Sequence, residues 1–285
     1  DIPGLLSLFA DDIDWATPHI ENAPFAGTRL GLSYTRGVMA IVDGPSKPLD
    51  VEGWSQSGAV SMTHPLHVTD TWLVQGSLSG TIGTSETSLS GVTVTDTRTQ
   101  KATAGLSFSY SSTEYSVTLA PAVSFVLSHS EITDRDQTPF LFTGTSTATL
   151  PLPYEVVAKG SGSWQLASID RLPGDQLFQI GGPTTVRGYP TNAVSGDQGY
   201  LLSLEVHRSL EALERRLGLF AFVDHGAVYA TSPGHTVASS VGVGSVWTIR
   251  PEVAIETSIA FPLSEIVPRQ DDFQLYSRLL LRPQF

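Results

Sequence analysis

Residues 273–285 read FQLYSRLLLRPQF. Phe273, Leu275, Leu279, Leu281 and Phe285 fall on one side of this stretch, and Gln274, Tyr276, Arg278, Arg282 and Gln284 on the other. Successive side chains of a strand point to opposite faces, so these residues form a strand with one apolar and one polar face. The same two-residue period runs upstream. Val253, Ile255, Ile259 and Phe261 alternate with Glu252, Ala254, Glu256 and Ser258. Tyr115, Val117, Leu119, Val123, Phe125 and Leu127 alternate with Ser116, Thr118, Ser124 and Ser128. Ala102, Ala104, Leu106, Phe108 and Tyr110 alternate with Thr103, Gly105, Ser107 and Ser109.

A soluble sandwich also alternates, so other features decide. The runs last roughly 10–14 residues, where globular strands average about 5–6. Connections alternate between short ones near 64–70, 111–113, 151–153, 210–217 and 250–251 and long ones near 42–51, 83–97, 129–138, 169–198, 230–235 and 263–272. Outer-membrane barrels have this asymmetry, with tight turns on one side and longer loops outside. The pattern predicts strands near 4–10, 12–20, 28–41, 51–64, 71–83, 98–111, 114–129, 139–150, 154–168, 199–209, 217–229, 236–249, 251–262 and 273–285. The expected fold is all-β, a transmembrane antiparallel barrel in one domain over residues 1–285. Sheet edges facing lipid are not tolerated, so the barrel should close. Pro121 removes a ladder donor inside a strong strand and predicts a bulge or irregular pairing there.

Composition agrees. Only 15% of the 285 residues are charged, against about 25% usually; Ser, Thr and Gly fill the difference. The net charge of −12 argues against nucleic acid, whose phosphates need clustered Lys and Arg. With no Cys there is no disulfide framework and no thiolate metal site. No run is apolar enough for a transmembrane helix. His64 and His67 flank a turn, and Asp11, Asp12 and Asp14 read as an acidic rim; neither set has a metal-loop pattern. There is no G-x-S-x-G elbow, and Gly242-Val243-Gly244 is strand interior. No cofactor and no enzymatic activity are expected.

One stretch escapes the alternation: Gly181, Gly182, Pro183, Thr184, Thr185, Val186, Arg187, Gly188 and Tyr189, inside the connection from Ile169 to Gln198. On a loop folded into a lumen, Arg187 needs a partner. Phe222, Asp224 and Gly226 share a face of their strand, opposite Leu219, Ala221 and Val223, so Asp224 points inward. An Arg187–Asp224 pair would anchor the loop tip by a charge-assisted, two-pronged contact. Gly188 and Gly226 would allow close approach. The alternative for Asp224 is neutralisation by Arg278 or Arg282, and Glu205 reads as a solvated lumen residue.

Val186-Arg187-Gly188-Tyr189 resembles the VRGY/F motif of the outer-membrane superfamily of barrel-assembly factors and two-partner secretion translocators. Phe222-Val223-Asp224-His225-Gly226 resembles its F-x-D-x-G strand motif. Residues 196–206 and the terminal Phe285, five strands beyond the loop, fit the secretion (haemolysin secretion/activation) branch more closely. The resemblance implies a 16-stranded barrel, of which about 14 strands are visible here, with Phe285 as the membrane-terminal signal. It implies an outer-membrane location and export of an unfolded adhesin or cytolysin. Its implied partners are that exoprotein, outer-membrane lipid and periplasmic POTRA domains of the full-length protein, around a monomeric barrel. No POTRA domain is visible in the chain, and Leu5–Ala10 resembles the family's third strand, so the chain is expected to begin inside the barrel. A barrel-assembly insertase and a passive porin are the alternative functions.

Overall fold

A computed structural model describes residues 13–14, 27–40, 50–210, 217–230, 234–250, 252–268 and 270–281. The strands are β1 (Ile13–Asp14), β2 (Arg29–Ala40), β3 (Val51–Val68), β4 (Trp72–Leu89), β5 (Val92–Ser111), β6 (Ser116–Ser130), β7 (Arg135–Gln137), β8 (Phe140–Leu152), β9 (Val156–Ala167), β10 (Phe178–Ile180), β11 (Val194–Gly196), β12 (Gln198–Leu210), β13 (Leu217–Tyr229), β14 (His235–Arg250), β15 (Val253–Pro262) and β16 (Gln274–Leu281). One antiparallel meander runs β1-β2-β3-β4-β5-β6-β8-β9-β12-β13-β14-β15-β16, with β7 folded back onto β6 and β10–β11 a separate hairpin. Among the described residues the two ends of this sheet, β1 and β16, do not pair with each other. The expected strand at 4–10, most of that at 12–20, and Asp11 and Asp12 of the acidic rim lie outside the described residues, as do Arg282 and Phe285; Asp14 stands opposite Ser33 of β2.

Two expected loops are hairpins instead. The segment 83–97 was expected to be a long connection, yet β4 and β5 stay paired up to Leu89↔Val92. The turn is Ser90 and Gly91, at φ 49° and 77°, the mirror-image turn whose twist matches paired strands. The Thr- and Val-rich run 92–97 is β-prone, and its extra rungs project beyond the membrane. Likewise 129–138 is a hairpin closed by the turn 131–134, because β7 pairs with the end of β6. At Pro121 the ladder between β5 and β6 skips two rungs, from Gly105↔Ala122 to Phe108↔Leu119. The register is unchanged across that gap, so pairing is irregular without a bulge. The missing N–H removes a bond but inserts no residue. A true bulge lies in β3, between Pro65 and His67.

The outer face carries Leu32, Val60, Leu78, Leu106, Val123, Phe142, Leu202, Leu204, Val223 and Leu279, all exposed. Such a continuous apolar surface has no place in water and defines a lipid-facing band. Aromatic pairs mark its limits. Trp72–Tyr110, edge to face, and the tilted pair Tyr110–Tyr115 have ring centroids 5.0 and 5.1 Å apart near the tight turns, and the tilted Phe125–Phe140 pair lies at 5.0 Å near the loops. From Tyr115 to Phe125, strand rise at ~3.4 Å per residue and a ~45° tilt give ~24 Å, the apolar height of an outer-membrane barrel. The inner face is lined with hydroxyls that bond across strands, as Thr103–Ser124 (2.8 Å) and Ser109–Thr118 (3.1 Å) do.

Candidate functional site

The connection between β9 and β12 lies against the inner face and is held at two places. Its base is fixed by Asp197. That buried carboxylate accepts the Leu172 N–H at 2.7 Å, while the Asp197 carbonyl accepts from Gln165 Nε2 at 3.0 Å. Leu172 packs with Val126 and Leu141 of the wall, and Thr99 of β5 donates to Asp175 at 2.8 Å. Above the base, β10 and β11 form a hairpin, Phe178↔Gly196 to Ile180↔Val194. The chain then turns at Gly181 and Gly182, at φ 109° and 104°, where any side chain is strained. Thr185 Oγ1 accepts the Gly181 N–H at 2.8 Å and sets the turn.

This turn delivers the tip to the wall. Ile180, Val186 and Tyr189 are buried against Val228 of β13 and Ala238 of β14. Between Val186 and Tyr189, Arg187 reaches Asp224 of β13, which is fully buried. Arg187 Nε and Nη2 donate to the two Asp224 oxygens at 2.7 Å each, and the Arg187 backbone N–H adds a third bond at 3.1 Å. The geometry is the fork-on-carboxylate that only a guanidinium can make. A second acid completes the coordination. Arg187 Nη1 donates to Glu205 of β12 at 2.6 Å, and Glu205 also meets His207 Nε2 at 2.7 Å. Ser203 Oγ donates to Asp224 at 2.6 Å and accepts from Arg187 Nη2 at 3.2 Å. Below, the guanidinium carbon lies 3.4 Å from the Phe222 ring centre, a cation–π contact. Burial alone lowers the Arg187 pKa, but the bonds and charges of Asp224 and Glu205 outweigh it and raise it above the ordinary value, so the cation is permanent.

The sequence did not reveal what supports this clamp. Glu205 was read as solvated and is a direct partner of Arg187. Gly242 and Gly244, read as plain strand interior, are the seats of Phe222 and Phe220: a Cβ at either position would run into the facing ring. Their register, Phe222↔Gly242 and Phe220↔Gly244, was a usable signal. His207 stacks on Phe220 with centroids 5.0 Å apart. Tyr276 of β16 was placed on the polar face, but not at the site. Its hydroxyl accepts the Gly188 N–H at 2.9 Å and donates to the Tyr189 carbonyl at 3.4 Å. Tyr189 donates to the Ser239 carbonyl at 2.8 Å. Gly188, at φ 90°, passes so close to Pro262 that a Cβ would lie 3.0 Å from its backbone nitrogen. A Cβ on Gly226 would crowd Val186 at 3.1 Å. Thus a few loop residues touch β12 through β16. Arg278 is not near Asp224; it pairs with Glu256 at 2.8 Å. His64 bonds Thr28 at 2.8 Å on the outer face.

A family model for haemolysin secretion/activation proteins of the ShlB/FhaC/HecB type matches residues 23–246. The chain belongs to that family. Among solved structures, CdiB from Escherichia coli superposes with a TM-score of 0.69 at 17% identity, over 89% of this chain and 50% of that one. CdiB from Acinetobacter baumannii gives 0.66 at 18%, over 89% and 47%. These likenesses show the fold, and the chain spans about half the length of either structure. No curated protein sequence matches it. The ShlB/FhaC/HecB family member described here is therefore an outer-membrane β-barrel whose meander corresponds to part of the CdiB chain.

Proposed function

We propose that this family member is the pore of a two-partner secretion system, passing an unfolded exoprotein of the adhesin or cytolysin class across the outer membrane. The observation that carries the reading is the buried Arg187 clamp on a loop lying along the inner face. A passive porin constricts its lumen with rings of solvated charge, whereas here the cation is fully committed to Asp224 and Glu205. Such a clamp holds one loop position firmly. That position is the translocation-competent one, and losing the clamp shifts the loop away from it. No nucleotide is needed, and folding of the cargo outside supplies direction. The full-length protein acts as a single barrel with periplasmic POTRA domains that present the cargo.

The test is export of the co-encoded exoprotein by the full-length protein carrying Arg187→Ala. The barrel inserts normally, and surface cargo falls at least about tenfold, because the clamp's ~3–5 kcal/mol biases the loop. Normal export by that variant refutes the role of Arg187. Insertion of other barrels failing in its place would favour an assembly function.

A further inference from the structure

On the outer face, Arg36, Gln56, Thr84 and Arg98 stand directly opposite one another on β2, β3, β4 and β5. They share the lipid-facing side with Tyr34, Val60, Ile82 and Leu106, which are exposed. The row lies one rung beyond Tyr34, Ile82 and Leu127, toward the end that carries the loops and the outer Phe125–Phe140 pair. Two guanidinium groups at this level are notable in a chain with 28 acids and 16 bases. No described carboxylate pairs with Arg36. Arg98 gives one N–H to Glu131 at 3.1 Å while its side chain stays 69% exposed, leaving donors of its five unused. The Thr84 hydroxyl between them is buried and has no hydrogen-bond partner. Of the acids on this face, Glu86 stands one rung higher and is taken by Trp54 and Thr93, while Asp136 stands in the same row beyond His129, which bonds it.

Along the same strands, toward the opposite end, an open apolar groove of about 740 Å³ is walled by Met62, Leu78, Leu106 and Val123 over a floor of Gly76 and Ala104. Its Met62↔Leu78 rung lies six residues below Gln56↔Thr84, roughly 20 Å along the strand. We infer that this face binds one phosphorylated glycolipid of the outer leaflet. Its phosphates sit on Arg36 and Arg98, about 14 Å apart across three strand spacings, and an acyl chain runs down into the groove. Guanidinium forks suit phosphate oxygens, and the interfacial level strengthens each bond relative to water. The separation of the cations, about 14 Å along a row that crosses the tilted strands, suits a headgroup with two phosphates better than a single phosphodiester.

The experiment uses the full-length protein in delipidated detergent micelles. Native mass spectrometry counts retained lipid after addition of a bisphosphorylated, multiply acylated glucosamine disaccharide. Parallel samples receive the same lipid with its phosphates removed, or phosphatidylglycerol. Wild type retains the bisphosphate. The double variant Arg36→Ala/Arg98→Ala loses about tenfold in retention. Arg208→Ala, an exposed cation at the other end of the outer face, retains it unchanged. Retention by the double variant, equal loss in Arg208→Ala, or equal retention of the phosphate-free lipid overturns the site. Phosphatidylglycerol held as tightly as the bisphosphate overturns its assignment to the glycolipid. Heat-modifiable migration on gels confirms that each variant is folded.

Discussion

Replacing Arg187 by Ala leaves Asp224 as a fully buried carboxylate with Ser203 Oγ and the residue 187 backbone N–H as its remaining donors. Removing one partner of a buried ion pair costs about 3–5 kcal/mol, mostly through the charge left behind. The loss of the Glu205 bond and the Phe222 stack belongs within that figure, since these terms are not additive. The base of the loop does not touch Arg187, so the change falls on the tip. At about 1.4 kcal/mol per tenfold, the equilibrium for tip release shifts by a hundredfold or more. Ser240 supplies the readout. It is fully buried, its hydroxyl has no partner, and it stands between Asp224 and Pro262 in register, beneath the tip. The chain has no cysteine, so Ser240→Cys is a nearly isosteric single reporter. Maleimide labels it in intact barrels only when the tip leaves. The labelling rate should rise about a hundredfold in Arg187→Ala. Adding Asp224→Asn removes the stranded charge and should bring the rate part of the way back. A rise below about threefold, or no recovery in the double variant, refutes the reasoning, because either result means the clamp does not hold the tip.

Other changes probe the supports, with the same reporter where the tip is concerned. Tyr276→Phe removes one acceptor for Gly188 and one donor to Tyr189; a loss of about 1–2 kcal/mol predicts labelling faster by about 5–30-fold. Gly242→Val drives a side chain into Phe222 and should displace the ring beneath Arg187. It is expected to cost about 1–3 kcal/mol in barrel stability, measured by urea unfolding, and to accelerate labelling. Asp197→Asn weakens the bond to Leu172 without touching the tip. Trypsin should then cut after the exposed Arg171 faster, while Ser240→Cys labelling stays within about twofold, since the distant sites act independently.

The sheet was legible because its cause is local. Alternation at Val117, Leu119, Val123, Phe125 and Leu127 sorts side chains between lipid and lumen, and a one-residue slip would reverse every one of them. That constraint placed β13 at 217–229 and pointed Asp224 inward. It failed at 83–97 and 129–138, where the chain leaves the membrane. Outside the bilayer, hydropathy no longer separates strand from loop, and the positive-φ turn residues tell them apart, Ser90 and Gly91 in one hairpin and Asp134 in the other. The need of Arg187 for an acid was also readable, since a cation away from bulk water has no inexpensive alternative. The tertiary structure alone decided how many groups meet it. Glu205, Ser203, Phe222 and Tyr276 belong to three strands, and strand register together with the turn at Gly181 and Gly182 fixes which of them one side chain can reach. By itself the sequence determined a lipid-facing barrel wall and a loop bearing one buried charge. Folding determined that the loop tip fastens five consecutive wall strands, because cross-strand distance is set by the sheet and not by separation along the chain.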